Sequence, residues 1–497
     1  MASIRLIVTV TLLVVIASAQ QCNLKTLKTS YPAPATADSW NYSIIANELR
    51  RPRGILFDSE GALIVIDSGN GIIHFELDDE GGTCLQVKKK TTLLKKNNLN
   101  HGIALSKDAR TIYASSSDEV FAWSYDPSKV SLSSSSVQTL VSNMTNGGHT
   151  SRTLLISQKH PDMLLVSRGS DGNDDAGAED RDSGRSQIRA FNISSFSSNS
   201  DKKAYDYLDG EIIGWGLRNS VGVAEHPETG GIFSVENSAD ELHRGGKDIH
   251  KDNPGEEMNF HGYLNGSDDQ GGNYGYPLCY TLWSTDGFPK LGDLKIGDQF
   301  PADRQADGDN ATALTDEECK SDYVAPVLAF QAHTAPLDLK FDENGTRAYV
   351  SFHGSCKTPQ PTFEPIPPLT YLGNRDPPVG YQVSYVDFQD GKPASSSRST
   401  NATTPIIYNK DLSKCPDDCF RPVGLAWDSK GRLWFSSDKT GEIFVLNHGG
   451  GSGSSGGNGS ESGAGSGDDD NDSASLQPGS AAFIITLAAF IVGGLLA

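Results

Sequence analysis

Apolar residues along this chain come in short bursts. The stretch 51–58 carries Ile55, Leu56 and Phe57 between a glycine and an aspartate; 61–67 carries Leu63 to Ile66, and 71–75 ends on Phe75. Runs this short, rich in β-branched and aromatic side chains and closed by Gly, Asp or Asn, predict strands, while the 3.6-residue spacing of an amphipathic helix is scarce. The same order of turn, apolar strand, acidic turn and second strand recurs. It is found again from Asn100 through Trp123, from His149 through Phe191, from Arg218 through Val235, from His333 through Val386 and from Phe420 through Leu446, six copies in all. Long loops make the spacing irregular. Repetition of one small sheet predicts an all-β fold, a six-bladed β-propeller with long inter-strand loops, whose blade edges are covered by neighbours. A sandwich or a parallel β-helix gives no reason for that internal order.

The two ends follow other patterns. Residues 1–19 read as a signal peptide, with Arg5 before the apolar run Leu6–Ile16 and a small-residue cleavage site at Ala17, Ser18 and Ala19. The propeller is expected over 20–447, a Gly-, Ser- and Asp-rich stalk over 448–472, and a GPI-attachment propeptide over 473–497 that ends in the apolar tail Ala481–Ala497. The protein is therefore expected outside the cell, held to the membrane only through a GPI anchor. Sequons at Asn41, Asn143, Asn192, Asn265, Asn310, Asn344 and Asn401, with Asn458 and Asn471 in the stalk, suit that address. Seven cysteines leave one thiol over; Cys22 with Cys84, Cys279 with Cys319 and Cys415 with Cys419 are candidate pairs, with Cys356 free, although sequence does not establish connectivity.

Charge narrows the partners. With 42 Lys and Arg against 63 Asp and Glu, the formal net charge is −21, which argues against a nucleic-acid surface. Yet the residues entering the predicted innermost strands are Arg51, Arg53, Asn100, His101, His149, Arg152, Arg218, Asn219, His333 and Arg421. An acidic protein that gathers cations at one repeat position predicts an anion site at the channel mouth, and guanidinium suits carboxylates. A histidine among arginines has its imidazolium disfavoured, so His149 is expected to be a neutral proton acceptor. The acidic stretch Asp174–Asp182 is expected to be a surface loop, with a second, structural Ca²⁺ as an option, and the lysines at 88–90 and 95–96 to be solvated strand ends.

Several segments carry a resemblance: 51–58, 147–150, 164–169, 214–222, 252–257, 271–277, 353–355 and 420–424. Together they resemble fungal pyrroloquinoline quinone (PQQ) dependent pyranose dehydrogenases, which are similar to bacterial soluble quinoprotein glucose and sorbosone dehydrogenases. The resemblance implies PQQ and Ca²⁺ in the central cleft, a sugar substrate, and an external electron acceptor such as a cytochrome-domain protein. It implies that His149 is the general base and that Arg218 stands beside the reactive quinone carbonyl. It implies cofactor contacts at Arg53, Asn100, Asn219, His353 and Arg421. Calcium ligands are implied among the backbone oxygens near Asn237 and Ser238, in the loop 235–240; hard oxygen donors suit Ca²⁺. The chain departs from the family at Cys356, where Trp is common, and in the Pro-rich insertion Thr358–Pro378. Two other readings compete. A calcium-dependent lactonase or esterase would need carboxylates and Asn around a channel metal, where this chain is Arg-rich; a surface adhesin would use the fold only as scaffold.

Overall fold

The computed structural model describes residues 22–133, 137–196, 203–265, 270–303, 314–356 and 377–449. The signal peptide, the stalk from residue 450, the terminal tail and residues 358–376 of the insertion lie outside the described residues. Within them the six repeats form a six-bladed β-propeller. From the inside outward, blade 1 is built from Pro52–Phe57, Leu63–Asp67, Gly71–Asp79 and Leu85–Lys95. The inner strands of blades 2 to 5 are Ile103–Leu105, Leu154–Ile156, Ser220–Glu225 and Pro336–Phe341. Blade 6 has Pro422–Trp427, Leu433–Ser437 and Glu442–His448 as its first three strands. Its fourth strand is Trp40–Ala46, from the opposite end of the propeller, paired antiparallel to Glu442–His448. Ring closure thus depends on long-range pairing that no local pattern announces.

Packing explains why the second strands read as continuous apolar runs. Leu63 and Val65 pack against Trp434, Ile443 and Val445 of blade 6, whereas the alternating residues Ile64 and Ile66 pack against Ile112 and Phe121 of blade 2. Side chains alternate along a strand, and here both faces are buried by neighbours, so no polar face is left. Equivalent clusters fill the remaining interfaces: Leu154 with Val120, Leu165 with Val223, Val235 with Leu339, and Val383 with Phe435. Near the axis the inner strands approach closely. A Cβ on Gly54 would fall 2.3 Å from the His101 carbonyl oxygen, and one on Gly424 would fall 2.3 Å from that of Arg53. Val221, Leu337 and Val423, from three successive inner strands, form an apolar cluster of their own.

The disulfides join the three pairs expected, Cys22 to Cys84, Cys279 to Cys319 and Cys415 to Cys419, and Cys356 is a free, exposed thiol. The stretch 174–182 is not wholly a surface loop: Asp175 is buried and pairs with Arg185 at 2.9 Å, and two short 3₁₀ turns follow it. Closure has an ionic clasp as well. Arg432 of blade 6 reaches Asp79 of blade 1 through both terminal nitrogens, at 3.0 and 2.7 Å, and its own Asp428 at 2.6 Å. Arg432→Ala leaves Asp428 buried without its cation. The expected cost is about 3 kcal/mol, visible as a lower denaturant midpoint with an unchanged slope.

Candidate functional site

Every blade contributes to one ring of hydrogen bonds where the inner strands begin. Arg53 Nε donates to His101 Nδ1 at 3.2 Å, joining blades 1 and 2. Asn100 Nδ2 donates to the Thr150 carbonyl at 2.8 Å, joining blades 2 and 3. The Ser170 N–H donates to the Arg218 carbonyl at 2.8 Å, and Asn237 Nδ2 to the Pro336 carbonyl at 2.6 Å. Arg421 Nε donates to the His353 carbonyl at 3.0 Å, and Arg53 Nη1 closes the circle on Asp438 at 2.7 Å. The expected convergence of separate blades on one mouth is therefore present.

Blades 3 and 4 bring His149 and Arg218 together. Gly169 follows the strand Met163–Arg168 and lies between them: a Cβ there would sit 2.7 Å from both His149 Cβ and Asn219 Oδ1. The His149 N–H donates to the Ser170 carbonyl at 3.0 Å, and Nδ1 lies 2.8 Å from Ser170 Oγ. Burial first, and then the Arg218 guanidinium, hold the His149 pKa down to about 3. The imidazole is therefore neutral, as the sequence predicts.

Arg218 is engaged on three sides. Nε and Nη2 donate to the backbone and side-chain oxygens of Asn173 at 3.0 and 2.8 Å, while Nη1 donates to the carbonyls of Asn237 at 3.1 Å and Ser238 at 2.6 Å. The two carbonyls predicted to bind a metal thus do converge on one cation, and in this structure that cation is Arg218. Asn173 also clasps the backbone of Asp240, donating to its carbonyl and accepting from its N–H, each at 2.8 Å. Asp240 lies 3.1 Å from His333 Nδ1. Burial works against the His333 imidazolium, but the hydrogen bond and charge of Asp240 outweigh it and raise its pKa. Beneath this loop Glu256 accepts from the Ser238 N–H at 2.7 Å, with its pKa pushed up to about 7 by burial.

The other side of the mouth is a chain of charges. Asp438 is buried and accepts from Arg53 on one oxygen and from His353 Nε2, at 2.8 Å, on the other. Burial alone would raise its pKa; His353 and Arg53 together hold it far below the carboxylate range. His353 is held down to about 4 by burial and by Arg421. Arg53 Nη2, Arg421 Nη1 and the Asn219 amide make no hydrogen bond among the described residues, and Asn100 Oδ1 is buried without one. These atoms can serve a ligand with carboxylates and both donor and acceptor edges.

Two members of the predicted cationic ring are corrected. Arg152 is wholly buried, and its guanidinium is spent on the Met144, His149 and Ser151 carbonyls and on Asn146, so it braces the His149 turn. Arg51 is exposed, and its bond to Asp67 is made by the backbone N–H. Sequence reasoning missed Ser170, Asn173, Glu256 and Asp438. Asp438 directly follows the strand Leu433–Ser437 and Ser170 follows Gly169 beyond the strand Met163–Arg168, places where small and acidic residues read as turn formers.

The TrAA12-like family matches residues 34–449. A PQQ-dependent sugar dehydrogenase from Hypocrea jecorina is 49% identical over 430 residues, 86% of this chain and 93% of that protein. A PQQ-dependent pyranose dehydrogenase from Coprinopsis cinerea is 35% identical over 82% of this chain, which spans about half (54%) of that relative. Among solved structures, a calcium structure of a family AA12 carbohydrate-active enzyme from Trichoderma reesei has a TM-score of 0.79 at 49% identity, covering 85% of this chain and 99% of the other. The holo form of the pyranose dehydrogenase PQQ domain from Coprinopsis cinerea has a TM-score of 0.74 at 33% identity, covering 84% and 98%.

Proposed function

This chain belongs to the TrAA12-like family of PQQ-dependent sugar dehydrogenases, and from that premise we propose that it oxidises a sugar hydroxyl or hydrated aldehyde at the ring mouth, using PQQ and Ca²⁺. The observation that carries the reading is the neutral His149 held beside the fixed charge of Arg218. PQQ when bound supplies the oxidant that accepts the hydride. The chain's own groups do the rest. His149 Nε2 takes the proton of the sugar hydroxyl as the hydride leaves the same carbon, which closes the C=O bond. The Arg218 charge stabilises the negative charge that develops next to it. The uncommitted N–H groups of Arg53 and Arg421 suit the cofactor's carboxylates, and the orphan Asn100 Oδ1 suits its pyrrole N–H. Asp438 keeps Arg53 and His353 in place. The Asn237 and Ser238 carbonyls are hard donors of the kind Ca²⁺ takes, so calcium would share or displace the Nη1 of Arg218. Electrons pass onward to a separate acceptor such as a cytochrome-domain protein, and the end segments support a place outside the cell under a GPI anchor.

Reconstitution tests the reading. PQQ and Ca²⁺ added to the cofactor-free protein should give a bound-quinone spectrum and sugar-dependent dye reduction; bound quinone with no turnover across a broad sugar panel overturns it. The base works only when unprotonated, and its pKa lies below the usual 6.5. Activity should therefore hold through mildly acidic pH, and the acid limb of kcat/KM should fall below pH 6.5. A limb above that value removes His149 from the role.

A further inference from the structure

We propose that Ser170 is the positioning residue that fixes the proton of His149 on Nδ1 and so leaves Nε2 as the proton acceptor. The inference deepens the reading of His149 as the base and rests on it. A hydroxyl has one proton and two lone pairs, and a carbonyl oxygen can only accept. Ser170 is fully buried, and its Oγ lies 2.7 Å from the Gly172 carbonyl, which takes that proton. Tyr276, the other polar group against this hydroxyl, donates its own proton to the Asn173 carbonyl at 3.1 Å. The Ser170 oxygen therefore accepts from the group 2.8 Å away, Nδ1 of His149. A neutral imidazole carries a single N–H, so the lone pair lies on Nε2.

The backbone holds the same arrangement in position. The His149 N–H is tied to the Ser170 carbonyl, and the Ser170 N–H to the Arg218 carbonyl. One residue thus sets the tautomer of the base and its placement against the arginine. With Ser170→Ala, Nδ1 loses its acceptor, the ring is free to move its proton to Nε2, and that fraction of the protein cannot take a proton from substrate.

Nitrogen NMR of the full chain labelled with [¹⁵N]histidine decides the first part, with His149 assigned by loss of its signals in His149→Gln. An unprotonated Nε2 and protonated Nδ1 are expected; the reverse overturns the proposal whatever the protein oxidises, and needs no variant of Ser170 to fold. In PQQ-loaded protein, Ser170→Ala should lower kcat by about 10- to 100-fold, the scale of losing an outer partner that orients a metal-bound imidazole, with KM and PQQ affinity unchanged and the Nε2–H tautomer now visible. Ser170→Thr, which keeps the hydroxyl, should recover the Nδ1–H tautomer. Unchanged kcat in a folded Ser170→Ala overturns the proposal even if the tautomer is as expected. If the unsubstituted chain binds PQQ but oxidises no sugar, the functional reading fails instead, and the tautomer measurement separates the two failures.

Discussion

His149→Ala is expected to cut kcat for PQQ-dependent sugar oxidation by about 10³-fold, within the range for loss of a positioned general base. The groups proposed to hold the cofactor are elsewhere: none of the side-chain hydrogen bonds of Arg53, Asn100 or Arg421 involves His149. PQQ affinity, read by fluorescence or absorbance titration, should therefore stay near that of the unsubstituted protein. The fold should survive too, because Arg152 takes the His149 backbone carbonyl, not the ring, and the ring's one hydrogen bond among the described residues is to Ser170. A variant that keeps kcat within about threefold is incompatible with general-base catalysis of that size, and one that loses PQQ along with activity makes His149 a binding residue instead.

Arg218→Met is expected to act in two opposite directions. Removing the charge beside the reacting centre should lower kcat by about 10²- to 10³-fold, the scale of losing one preorganised electrostatic donor. The same change releases the Asn237 and Ser238 carbonyls from Nη1. Positive charges repel, so a calcium ion at those oxygens should bind more tightly once the guanidinium is gone. Calcium titration followed by calorimetry, alongside turnover at saturating calcium, separates the two effects. Weaker calcium binding in a folded variant would mean that Arg218 supports the carbonyl loop more than it competes for it. Unchanged turnover would place the catalytic charge elsewhere.

The site was legible unevenly. Arg53, Arg218, Arg421 and His149 were singled out because each stands at or shortly before the start of an inner strand, and the repeat brings those starts to one mouth. Arg152 shares that place but turns inward, because four oxygens of its own turn surround its guanidinium. No pattern in the chain distinguishes it from Arg218. Asp438 and Asn173 are harder still, since their partners lie far off in sequence: Arg53 is 385 residues from Asp438, and Arg218 is 45 from Asn173.

The sequence by itself determined the six repeats, their short strands and the line of cations at the strand entrances, because each of those depends on residues within a few positions of one another. Tertiary structure alone decided which strand completes blade 6, which arginines keep free N–H groups, and that one serine and one asparagine hold His149 and Arg218. Those outcomes depend on where loops from different blades come to rest, and hydrogen-bond partnership is a matter of distance in space, which a linear pattern does not encode.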